Sequence, residues 1–75
     1  MQVVPGRYRH YKGPEYRVYA VALHSETEEP MVFYQALYGD FSLWVRPLSM
    51  FTETVEVDGE TLCRFALIEA ETSRF

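Results

Sequence analysis

Residues 24–30 read His-Ser-Glu-Thr-Glu-Glu-Pro, a dense run of titratable and hydroxyl side chains in a chain of 75 residues. His24 and Glu26 lie two apart, so on extended backbone they project to the same side, and a histidine oriented by a carboxylate is half of a general-base arrangement. Ser25 faces the other way, which leaves the pair without a nucleophile in reach. Metal chemistry is no better supplied. Zinc takes three or four ligands, and His10, His24 and Cys63 occur without paired spacing. Glu26, Glu28 and Glu29 could attract a hard cation, but they do not form a calcium-loop signature. The alternative to chemistry is a turn. A short polar segment ending in Pro30 between two apolar runs has the composition of a hairpin connection, with Ser25 or Thr27 bonding to nearby backbone. No metal and no cofactor are expected.

The aromatic residues form a second candidate set. Tyr8, Tyr11, Tyr16, Tyr19, Tyr34, Tyr38, Trp44 and Phe51 are more large rings than so small a core can take in. Tyrosine and tryptophan left at the surface beside arginine or lysine can stack on bases, grip a proline-rich peptide or cage a cation. Capping the open ends of a small barrel is the structural use of the same rings. Arg46 stands between Val45 and Pro47 in a densely apolar stretch. A buried arginine needs a carboxylate or backbone carbonyls, since stripping a partner from a buried pair costs about 3–5 kcal/mol. Glu26 and Glu53 are the candidate partners, and the functional alternative is a guanidinium free to grip an anion. Cys63 reads as a small half-buried hydrophobe with no assigned role.

These side chains need a scaffold. Pro5-Gly6, Gly13-Pro14, Glu29-Pro30, Gly39-Asp40, Pro47 and Asp58-Gly59 punctuate the chain, and the intervals are short and rich in Tyr, Val and Phe, which is the pattern of strands joined by turns. Strands are expected over Arg7–Lys12, Tyr16–His24, Met31–Leu37 and 42–46. In the second of these, Tyr16, Val18, Ala20 and Ala22 alternate with Tyr19, Val21 and Leu23, so both faces are apolar and the strand should lie wrapped in the middle of a barrel. Pro47 stops the fourth strand, Pro47–Phe51 makes one helical turn, and Asp58-Gly59 centres a final hairpin. The expected fold is all-β, a small SH3-like barrel of five to six strands with one short helical turn. An OB-like barrel is second, for want of a proper helix. One domain spans 1–75, with the barrel over about 6–67 and a polar tail over 68–75 that frays.

Composition limits the function classes. Hydrophobic residues make up 48% of the chain and aromatics 16%, too much for disorder. A single cysteine allows no internal disulfide, so packing must carry the stability. The free thiol and an N-terminus without an apolar leader segment point to the cytoplasm, and no stretch approaches the roughly 20 apolar residues that cross a bilayer. Net charge is −4, against coating nucleic acid by bulk electrostatics, although Arg7, Arg9, Lys12 and Arg17 outweigh Glu15 within the first 17 residues.

The segments GRYRHYKG (6–13), YRVYAVALHSETEE (16–29), YQALYG (34–39) and WVRPLSMF (44–51) together resemble an uncharacterised bacterial family, a domain of unknown function, over roughly residues 6–65. The resemblance implies a short β-rich protein with no assigned substrate or catalytic residue. It marks Tyr8, His10, Tyr11, Lys12, His24, Glu26, Tyr38, Trp44, Arg46, Met50 and Phe51 as pattern positions. Members of that family show Pro-Arg-Phe where this chain has Cys63-Arg64-Phe65, so no shared cysteine chemistry is implied.

The functional expectation is a non-enzymatic binding module in which aromatic and basic groups near Tyr8, His10, Tyr11 and Lys12 face Trp44 and Arg46, with Tyr38, His24 and Glu26 as further ligand-binding candidates. The ligand would carry a flat or anionic part. A protein or peptide partner is favoured, nucleic acid is possible but not favoured, and no membrane is involved. Two other classes compete: a small hydrolase-like enzyme or sensor using His24 and Glu26 as an acid–base pair, and a structural domain that assembles with itself or another protein through exposed rings.

Overall fold

The structure, a computed structural model, describes residues 3–71. Seven strands and one helical turn follow one another as β1 (Gly6–His10), β2 (Glu15–Leu23), β3 (Pro30–Ala36), β4 (Leu43–Pro47), α1 (Leu48–Phe51), β5 (Thr54–Val57), β6 (Glu60–Cys63) and β7 (Phe65–Ala70). Five of the strands form one antiparallel sheet in the order β4-β3-β2-β1-β7, and β5 and β6 pair only with each other. The all-β expectation holds at that level. The sheets are not closed into a barrel: β4 and β7 remain as edges, and the β5–β6 hairpin does not hydrogen-bond between them.

The apolar character of both faces of β2 has a different cause from the one expected. β2 is the central strand of an open sheet, and its pairing with β3 slips between Val18 and Ala20. Val18 pairs with Tyr34, yet Val21 pairs with Val32, so the inner face passes from the even-numbered residues to the odd-numbered ones across the slip. Beyond it β2 runs past the core, and every residue from Val21 to Pro30 is exposed.

Residues paired directly across antiparallel strands share a face. By that register Tyr8, Tyr16, Val18, Tyr34, Ala36, Val32, Trp44 and Arg46 occupy one side of the main sheet. The core lies on this side, formed by Tyr8, Val18, Val32 and Tyr34 with Phe51 from α1 and Phe65 from β7. Pro47 ends β4, having no N–H to give the ladder, and the single turn after it carries Phe51 under the sheet. Phe51 stacks on Phe65 with ring centroids 4.2 Å apart and planes 3° from parallel.

Two local expectations are met closely. Asp58 and Gly59 both have positive φ, 51° and 82°, as the two-residue hairpin turn requires. His-Ser-Glu-Thr-Glu-Glu connects β2 to β3. The expected tail from residue 68 is shorter than drawn, because Ile68–Ala70 belong to β7 and Ala70 pairs with Gly6, while 72–75 lie outside the described residues. A side chain at Gly6 would fall on the Glu69 carbonyl oxygen and within 2.9 Å of Ala70 Cα, so only glycine permits this closeness of β1 and β7.

Candidate functional site

The basic strip at the N-terminus divides between the two sides of the sheet. Arg7, Arg9 and Arg17 alternate with the core residues and therefore stand on the outer face. Arg7 Nη1 donates to Glu15 Oε1 at 2.9 Å and Arg9 Nη2 donates to Glu15 Oε2 at 3.0 Å; Arg7 also reaches Glu69, and Arg17 pairs with Glu71. The hydrogen bonds from Arg9 and then Arg7 hold the Glu15 carboxyl below its usual range. This face is occupied by its own ion pairs.

On the inner side the arrangement is the reverse. Arg46, half-buried, has no carboxylate within ion-pair distance among the described residues; Glu53, one expected partner, pairs with Arg64 at 3.3 Å, and Glu26, the other, is exposed in the β2–β3 turn. The Arg46 Nε donates to the Tyr34 hydroxyl at 3.3 Å, and its guanidinium carbon lies 5.7 Å from the centroid of Phe65.

Phe65 is the hub of this end of the molecule. His10, Tyr16 and Tyr34 meet its ring nearly edge-on, with centroids at 5.0, 5.5 and 6.0 Å. Tyr16 in turn meets Tyr34 and Tyr38 edge-on, and the Tyr16 and Tyr38 hydroxyls share a hydrogen bond of 2.8 Å. Burial, followed by that hydrogen bond, pushes the Tyr16 pKa up to about 12. The loop carrying Tyr38 is fixed by its backbone: Ala36 N–H donates to Ser42, Leu37 N–H to Glu15 and Phe41 N–H to Tyr38, with Gln35 Nε2 bonding the Phe41 carbonyl. Phe41 adopts φ 57°, a costly conformation for a bulky residue, which these bonds hold in place.

His10 closes the other side. It begins a tight turn in which its backbone N–H bonds Pro14 and the Gly13 N–H returns to its carbonyl, both at 2.8 Å. Its Nδ1 accepts the Lys12 backbone N–H at 3.1 Å, so in the neutral ring the proton sits on Nε2. Burial and the nearby charges of Arg64, Lys12 and Arg46 lower its pKa from the ordinary value. Tyr11 leans on the imidazole at 4.6 Å, with Lys12 Nζ 5.8 Å from the Tyr11 ring. A groove of about 470 Å³ runs beside His10 and Tyr11, bounded by Leu62, Cys63 and Ile68. Cys63 is exposed.

Thus His10 and Arg46 meet at Phe65, Tyr38 joins the cluster through Tyr16, and Tyr11 and Lys12 stand beside His10. Trp44 shares the Arg46 face, opposite Tyr34, and is 54% exposed. Tyr8 is buried, its hydroxyl donating to the Val4 carbonyl at 2.7 Å. His24 and Glu26 lie elsewhere, eight residues along β2 from Tyr16, roughly 26 Å at 3.3 Å per residue. His24 Nδ1 accepts the backbone N–H groups of Glu26 and Thr27 at 3.1 and 3.4 Å, so it braces a turn. Among the described residues no three His, Cys, Asp or Glu side chains are placed to hold a metal ion. The residues missed from sequence are Phe65 and Arg64. Their signal was the Arg-Phe pair that this chain keeps where the family's Pro-Arg-Phe stands.

The site is an aromatic cluster on an open antiparallel sheet, with one arginine, Arg46, that has no carboxylate partner among the described residues. The chain's family follows from comparison. Residues 6–67 match the family described as a protein of unknown function, DUF1653, and the chain belongs to that family. A crystal structure of a DUF1653 protein from Bordetella bronchiseptica is similar at 35% sequence identity, with a TM-score of 0.84 over 97% of this chain and 96% of that one. No curated protein matches the chain.

Proposed function

We propose that this protein is a small binding module whose aromatic mouth receives the anionic part of a ligand. Arg46 supplies the charge, and His10 and the Tyr16–Tyr38 hydroxyl pair supply further hydrogen bonds. Trp44 and Tyr38, with Tyr11 and Lys12 beside the groove, contact the flat or apolar remainder. The observation that carries this reading is the state of Arg46: half-buried on aromatic rings, it has no carboxylate within 4 Å among the described residues, while the outer-face arginines all have one. A guanidinium held by packing and left with both Nη groups to donate is pre-organised for an oxyanion.

The test is a titration of isotope-labelled protein with small aromatic anions at fixed ionic strength, followed by NMR. Shifts should cluster on Arg46, His10 and Tyr38 and vanish in Arg46→Gln. Shifts confined to the outer-face arginines, or unchanged in the variant, would refute the reading.

A further inference from the structure

Resting on that reading, we infer that the anion is a phosphomonoester in its doubly charged form, on a small molecule that carries an aromatic or heterocyclic ring. Two features lead there. The first is the balance of donors and acceptors at the mouth. Among the described residues Arg46 makes its hydrogen bond through Nε, which leaves both Nη groups to donate. His10 has Nδ1 engaged by the Lys12 N–H, which fixes Nε2–H as a donor. In the Tyr16–Tyr38 pair one hydroxyl donates to the other, so one phenol proton remains to be given. With Tyr16 pushed to about 12, that phenol stays protonated through the physiological range. Phenol oxygens are the only side-chain acceptors in this set, so a ligand group that still carries a proton is poorly received. An oxyanion with every oxygen free to accept is matched.

The second feature is charge. Arg46 and Lys12 both lack a carboxylate partner within 4 Å among the described residues, whereas Arg64 shares Glu53. Arg46 lies over Phe65, whose ring His10 meets at 5.0 Å, and Lys12 lies over Tyr11, which leans on His10 at 4.6 Å, so both cations flank the imidazole. Two uncompensated cations call for a dianion. A carboxylate or sulfate ester brings one negative charge; a phosphomonoester, with its second pKa of about 6, brings nearly two at neutral pH. The exposed ring of Tyr38, hydrogen-bonded to Tyr16 at the mouth, gives the ligand's ring a surface to lie on.

Calorimetry on the intact protein at about pH 7.5, where the monoester is doubly charged, decides this with three probes sharing one ring: phenyl phosphate, phenyl sulfate and benzoate. Phenyl phosphate should bind about tenfold or more tightly than the other two, the margin a charge-assisted hydrogen bond supplies. Arg46→Gln should abolish the preference, and His10→Phe, which keeps a ring but removes the Nε2–H, should reduce it. Adenosine monophosphate and phosphotyrosine in the same series distinguish a nucleotide source from a phosphoaryl one. Equal affinity for the three probes, still lost in Arg46→Gln, would overturn the phosphate assignment while leaving anion binding intact. No binding of any probe would overturn both. The wild-type series decides selectivity even if a variant folds poorly.

Discussion

The two histidines sit in turns that look alike from a distance. His10 and His24 each accept, through Nδ1, the backbone N–H of the residue two positions on. Around His24 lie exposed glutamates, with no aromatic ring against it among the described residues; around His10 lie Tyr11, Phe65 and the charges of Arg46, Arg64 and Lys12. The sequence directs attention to His24 because its polar neighbours are adjacent. His10 gains its neighbours from its own turn, from Arg46 on β4, and from Arg64 and Phe65 at the start of β7. A turn histidine becomes a candidate for chemistry through tertiary surroundings, and sequence proximity to carboxylates is a poor substitute for them.

The contrast can be strained by mutation, most severely at the hub. Phe65→Ala should cost about 3–5 kcal/mol, as truncation of a buried aromatic does. That is a large share of the roughly 4–11 kcal/mol that 75 residues have at about 0.05–0.15 kcal/mol per residue, so the urea transition should move to much lower denaturant. Leu23→Ala at the other end, where the side chain is largely exposed, should move the same transition by no more than about 0.5 kcal/mol.

The next effect is alkaline. Tyr16 has a folded pKa raised to about 12 from an ordinary 10.0, so its contribution is complete below the unfolded value and is lost as pH climbs from 10.0 toward 12. Burial raises Tyr8 in the same direction. Urea midpoints measured across that range should fall, and Tyr16→Phe should flatten the fall.

His10 supplies a smaller effect of opposite sense. Its folded pKa is lowered, so the unfolded chain binds the proton more readily and stability is lost as pH drops through and below the ordinary 6.5. NMR titration of the His10 ring should give a value below 6.5, and Arg46→Gln, by deleting one of the three cations, should raise it. A further small effect belongs to His24→Ala, which removes an acceptor for two exposed N–H groups. It should cost at most about 1 kcal/mol and leave anion-induced shifts at His10 unchanged.

What could be read from sequence was local. The Asp58-Gly59 hairpin, the stop at Pro47, the helical turn after it and the polar turn at 24–29 all follow from residues whose backbone preferences act within a few positions. The barrel was not there to be read. Apolar residues on both sides of β2 arise from a register slip that no pattern in β2 announces, and the return of β7 onto β1 depends on Gly6, whose missing side chain matters only once Glu69 and Ala70 are beside it. Arg46, His10, Tyr38 and Trp44 could be named as candidates from residue type and resemblance. That Arg46 has neither Glu26 nor Glu53 could not, because Arg64, adjacent to Phe65, takes Glu53 through tertiary contact.

The most direct test is Arg46→Gln with two readouts on one sample, chemical denaturation and aromatic-anion titration. An arginine kept for a ligand should give up no more than about 2 kcal/mol of stability, the worth of its one hydrogen bond to the Tyr34 hydroxyl, while anion-induced shifts at His10 and Tyr38 disappear. A loss of about 3–5 kcal/mol, the signature of a broken buried ion pair, with anion shifts preserved, would show that Arg46 serves the fold.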